Sequence, residues 1–177
     1  IGRNGAGKTT ILKMICGLSC PTSGSITFEG KTGAELSKQM HKIGSLIETP
    51  GLFPKMSAYQ NIKIKCILCG KNDDAYIKSL LKQVGLEKVG RKPTQSFSLG
   101  MKQRLGIAQA IMEFPKLLLL DEPTIHLDSS RRHELINLLK DMSVLPQMII
   151  VTHESQLENA ADNLIKVEKE NGISKII

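Results

Sequence analysis

The chain is 177 residues long and 41% hydrophobic, which suits one domain with a substantial core. Its net charge of +7 comes from lysines scattered along the sequence, and it has two tyrosines, four phenylalanines and no tryptophan. So few rings argue against nucleic-acid binding, and no apolar run approaches the roughly eighteen residues of a membrane span.

Gly2-Arg3-Asn4-Gly5-Ala6-Gly7-Lys8-Thr9-Thr10 fits the phosphate-binding pattern G-x-x-x-x-G-K-(S/T), with Gly2, Gly7, Lys8 and Thr9 at its fixed positions. Glycines let a backbone curl until successive N–H groups face one concavity that suits an anion. Residues Asn4, Gly5, Ala6, Gly7, Lys8, Thr9 and Thr10 are the candidates to line it. Lys8 is expected to reach the β- and γ-phosphates of a nucleotide, and the Thr9 hydroxyl to hold Mg²⁺. Ile11, Leu12, Ile15 and Leu18 follow at helical spacing, so a helix N-terminus adds its dipole to the site. The chain opens on Ile1, with no initiator methionine, almost on the loop itself. The strand that should lead in is therefore expected upstream, in a longer protein.

Gly17 and Pro21 punctuate the next stretch, and Ser25–Glu29 alternates as a strand ended by Gly30. Ala34–His41 reads as polar helix and Ile43–Ile47 as a short buried strand leading to Glu48. From Pro50 to about Gly100 helical patterns prevail, over Ala58–Leu68, Ala75–Val84 and Met101–Met112. This region reads as a helical insertion into an α/β core. Beyond Pro115, Leu117–Leu120 and Met148–Val151 are apolar strands, with helices over Ser130–Met142 and Gln156–Ala161. Asn163–Glu168 and Ile173–Ile177 around Asn171-Gly172 resemble a closing hairpin. Strands alternating with helices predict a mostly parallel sheet.

Cys16-x₃-Cys20 and Cys66-x₂-Cys69 have a spacing that invites a zinc reading. Cys16 falls on the apolar helix after the loop, and Cys66 and Cys69 on an apolar segment that also reads as helix. The roles of small buried hydrophobes fit them better.

Asp121 and Glu122 stand at the C-terminal end of the buried Leu117–Leu120 strand, where ligands of open α/β sheets bind. Asp121 is placed to join the Mg²⁺ shell opposite Thr9. Glu122 is placed to orient or deprotonate an attacking water.

The order of phosphate loop, Ser98-Leu99-Gly100-Met101-Lys102-Gln103-Arg104, Leu120-Asp121-Glu122-Pro123 and finally His153 resembles the ATP-binding cassette (ABC) ATPases from end to end. The resemblance implies a single α/β domain over residues 1–177, a P-loop NTPase core lacking its N-terminal strands here, with a helical subdomain over 50–104. It implies ATP and Mg²⁺ as cofactors and a head-to-tail dimer with a second ATPase subunit. Each ATP then lies between one subunit's phosphate loop and the other's signature segment. Ser98 and Gly100 keep the capping and close-approach positions of that segment, although Phe97, Leu99 and Met101 replace three of its usual five residues. By the same resemblance His153 contacts the γ-phosphate, and Asp128 belongs to the loop that communicates across the dimer, where His126 replaces a small residue. Locally, a plain helix cap explains Ser98 equally well.

Glu48 stands where the family usually has glutamine, beside Mg²⁺ and the attacking water. Together with the segment from Phe97 to Arg104, it is similar to the ATPases of bacitracin-resistance and lantibiotic-immunity exporters. That similarity implies separate polytopic membrane subunits, a place at the cytoplasmic face of the membrane, and hydrolysis coupled to export. A soluble ABC ATPase outside transport, or a nucleotide-binding fragment without activity of its own, are the alternatives.

Overall fold

The computed structural model describes residues 1–70, 73–142, 145–170 and 172–177. Its centre is a parallel sheet of β1 (Ile43–Leu46), β2 (Leu117–Asp121) and β3 (Met148–Val151), in that order. The register aligns Leu46 with Leu120 and Leu120 with Ile150. Every residue of β2 is buried, which explains its unbroken apolar run: a central parallel strand is covered on both faces.

The two faces of β2 feed separate cores, because neighbouring side chains point opposite ways. Leu117 and Leu119 pack with Leu12 of α1 (Lys8–Ile15) and Val151. Leu118 and Leu120 join the larger cluster with Ile62, Ile77, Leu105 and Leu135. Those four residues come from α3 (Ala58–Leu68), α4 (Asp74–Gln83), α5 (Leu99–Ile111) and α6 (Ser129–Lys140), α2 being the short Gly33–Ser37. Gly44 of β1 lets α5 approach closely: a Cβ there would lie 2.2 Å from the Ala110 carbonyl oxygen.

Capping side chains set the helix starts. Ser57 and Gln60 form a capping box on α3, and Asp73 accepts from the amides of Ala75 and Tyr76 on α4. The short α7 (Ser155–Glu158) precedes an antiparallel hairpin of β4 (Val167–Glu170) and β5 (Ile173–Ile176). Its expected turn residue Asn171 lies outside the described residues. Among the described residues no helix is long and apolar enough to cross a membrane.

Three expectations are corrected. Ser25–Glu29 forms no strand; Phe28 makes only an isolated bridge to Lys31, since no strand edge among the described residues runs beside it. The first helix stops at Ile15, and Leu18 is 68% exposed. Gly17, at φ 69°, ends it with the paired bonds of a Schellman motif, from the Leu18 amide to the Lys13 carbonyl and from Gly17 to Met14. The helix after the signature segment begins at Leu99 rather than Met101, so Gly100 lies inside its first turn.

Candidate functional site

The phosphate loop runs from Gly2 to Gly7, and glycines hold its three positive-φ positions. Gly2 has φ 149°, and a Cβ there would lie 2.1 Å from the Val167 carbonyl oxygen, so β4 leaves room for nothing larger. Gly7, at φ 92°, is the N-cap of α1. The Lys8 side chain folds back over the loop and donates to the carbonyls of Gly2 and Arg3. At 9% exposure it is a buried cation held by backbone oxygens. Ala6 is buried, while Asn4, Gly5 and Thr10 are exposed.

The first turn of α1 brings Thr9 to the end of β2. Its hydroxyl donates to Asp121 Oδ2 at 2.7 Å. Asp121 Oδ1 is buried and has no hydrogen-bond partner. A buried carboxylate oxygen left open beside a hydroxyl is the donor set a hard divalent cation takes, so Thr9 and Asp121 fit Mg²⁺.

Glu122 turns out of the sheet at φ 46°, a left-handed conformation unusual for its type. Its amide remains bonded to the Val151 carbonyl at 2.9 Å, which holds the turn against β3. The carboxylate meets His153 Nε2 at 3.2 Å. Thr152 Oγ1 accepts the Glu154 amide at 3.0 Å and shapes the turn that presents His153. Burial pushes the Glu122 carboxyl above the usual carboxylate range, opposed in part by His153 and Lys8. A raised carboxyl is better matched to taking a proton near neutral pH.

Ser98, Gly100 and Asp128 gather elsewhere. They line one groove together with Arg104 and Arg131, and no phosphate-loop residue lines it. Ser98 caps α5 through the Met101 amide at 3.3 Å, and Asp128 caps α6 through the Arg131 amide at 3.0 Å. Gly100 is buried in the first turn of α5, and a Cβ there would meet Arg131 Cδ at 3.5 Å, an ordinary contact distance. His126, in the loop between the two sets, is exposed at φ 60°.

Glu48 joins neither group. Its Oε1 pairs with Lys13 Nζ at 2.7 Å, one turn beyond Thr9 on α1. Sequence reasoning missed Lys13; the signal was its four-residue spacing from Thr9, which places both on one helix face.

This glycine-rich loop before a helix, facing paired carboxylates at the end of a parallel strand, has the form of a nucleotide site in a P-loop ATPase. The ABC transporter family matches residues 1–125, and the chain belongs to that family as the ATP-binding, ATP-hydrolysing part of a transporter. The lantibiotic transport ATP-binding protein SrtF of Streptococcus pyogenes is 43% identical over 164 residues, covering 92% of this chain and 70% of that protein. The bacitracin transport ATP-binding protein BcrA of Bacillus licheniformis is 42% identical over 144 residues, covering 81% of this chain and 47% of its own length. Among solved structures, the dimeric post-hydrolysis state of the ATP-binding cassette MJ0796 bound to ADP and Pi has a TM-score of 0.81 at 25% identity. It covers 99% of this chain and 82% of that one.

Proposed function

We propose that the chain powers an exporter that protects its cell from antimicrobial peptides of the lantibiotic and bacitracin kind. Likeness to SrtF and BcrA is the observation that carries this reading, and Glu48 in place of the family's usual glutamine supports it.

In this reading Lys8 and the loop amides from Asn4 to Thr10 hold the phosphates of ATP. Thr9 and Asp121 hold Mg²⁺, with Glu48 drawn in as a further oxygen ligand. Held there, Mg²⁺ would neutralise charge developing on the transferred phosphoryl group. Glu122 orients a water and accepts its proton as the water oxygen bonds to the γ-phosphorus and the bond to the bridging oxygen breaks. ADP and phosphate result. His153, with Nε2 3.2 Å from the Glu122 carboxylate, contacts the γ-phosphate in this reading and keeps the carboxylate aimed.

Ser98, Gly100 and Asp128 form a separate surface, which a second copy's nucleotide completes in a head-to-tail dimer. The separation of the two residue sets within one chain favours this arrangement. The dimer closes on ATP and reopens after hydrolysis, and the helical region over 50–104 passes that motion to polytopic membrane subunits at the cytoplasmic face.

The test is to tag the full-length protein in its own host and purify it from membranes. Polytopic subunits should co-purify, substitutions over 48–57 should release them, and E122Q should sensitise cells to lantibiotics or bacitracin. A freely soluble protein whose E122Q variant leaves peptide susceptibility unchanged would replace the exporter with a soluble ABC ATPase.

A further inference from the structure

Lys13 takes no part in the chemistry above, yet its ammonium is held 2.7 Å from Glu48 Oε1. It shares a face of α1 with Thr9. Glu48 lies two residues beyond Leu46, which pairs level with Leu120, the residue before Asp121. The ion pair therefore ties the helix that carries Thr9 to the loop leaving the strand beside that of Asp121. Glu48 sits at φ 63°, where a side chain other than glycine is strained and must be held by its surroundings. Among the described residues, Lys13 is the ionic partner of its carboxylate. Their side chains are 39% and 63% exposed, so the pair is hydrated and easily exchanged.

We propose that Lys13 is a positioning residue for Glu48: it stores the carboxylate on α1 and yields it to a divalent cation held by Thr9 and Asp121. This rests on the reading of Thr9 and Asp121 as metal ligands. Lysine and cation compete for one carboxylate, so Lys13 raises the cation concentration at which Glu48 is recruited. A neutral glutamine at position 48 offers Lys13 no charge, and the competition disappears. Lys13 thereby makes glutamate at this position a charge-regulated ligand.

Mn²⁺ binding to the full-length protein in the presence of ADP, followed by electron paramagnetic resonance, tests this without reference to turnover. K13Q should tighten Mn²⁺ binding about two- to five-fold, the scale of an exposed ion pair. K13R, which keeps the pair, should bind as wild type does. In the E48Q background K13Q should change nothing. Unchanged affinity in K13Q overturns the proposal. Equal tightening in both backgrounds also overturns it, because Lys13 would then act through its long-range field. D121N separates this failure from that of the metal site: Mn²⁺ bound equally by D121N and wild type removes the site and the proposal with it. Loss in D121N, with no coupling between positions 13 and 48, removes the role of Lys13 alone.

Discussion

Thr9 Oγ1 donates to Asp121 Oδ2 at 2.7 Å, joining the first turn of α1 to the end of β2. The contact is the sole hydrogen bond of the Asp121 side chain among the described residues, since Oδ1 is buried without a partner. T9A leaves both oxygens of a buried carboxylate unpaired. Unfolding in urea should report a loss of about 1–3 kcal/mol, the cost of an unsatisfied buried group. Titration calorimetry should show Mg²⁺-dependent ATP binding weakened by about tenfold or more, the change expected from losing about 1.4 kcal/mol of binding energy.

Gly44 is where β1 and α5 meet, and a Cβ there would lie 2.2 Å from a backbone carbonyl oxygen and 3.0 Å from Pro115 Cγ. Backbone cannot swing aside as a flexible side chain does. G44A should lower stability by about 3 kcal/mol, at the upper end for overpacking, read as a lower urea midpoint.

Much of this architecture is legible in the sequence. Leu117–Leu120 reads as a buried strand because covering both faces demands an unbroken apolar run, and its end locates Asp121 and Glu122. Ser98 announces its helix through capping chemistry that needs only local sequence, although the helix starts at Leu99 rather than Met101. Period-two alternation at Ser25–Glu29 misleads, because a strand needs an edge to pair with and alternation does not say whether one is near. Leu18 fits the helical period, but the left-handed Gly17 outweighs it. The Lys13–Glu48 pair spans 35 positions and follows from the packing of α1 on the sheet, which no local pattern encodes.

His126 adopts φ 60° in an exposed loop. Glycine carries no steric cost there, so H126G should stabilise the protein by about 0.5–1 kcal/mol, seen as a higher melting temperature.

Glu122 makes a pH prediction through its raised carboxyl pKa, caused chiefly by burial. The folded protein keeps this proton to a higher pH than the unfolded chain does. Between the ordinary carboxylate value and the raised one, the native state binds more protons, so stability falls as pH rises. Above that window the loss is complete. E122Q escapes it, so the variant should melt above wild type at pH 7, and the gap should close below about pH 4.3, the ordinary glutamate value. Differential scanning calorimetry from pH 4 to 8 checks the sign.

The most direct measurement compares steady-state ATP hydrolysis by full-length wild-type protein and E122Q, with ATP binding and ATP-induced dimerisation followed alongside. If Glu122 activates the water, E122Q binds ATP and dimerises, while turnover falls by about 10²–10⁴-fold, the scale of lost general-base catalysis. Turnover at the wild-type rate in E122Q would remove Glu122 from the reaction and contradict the account.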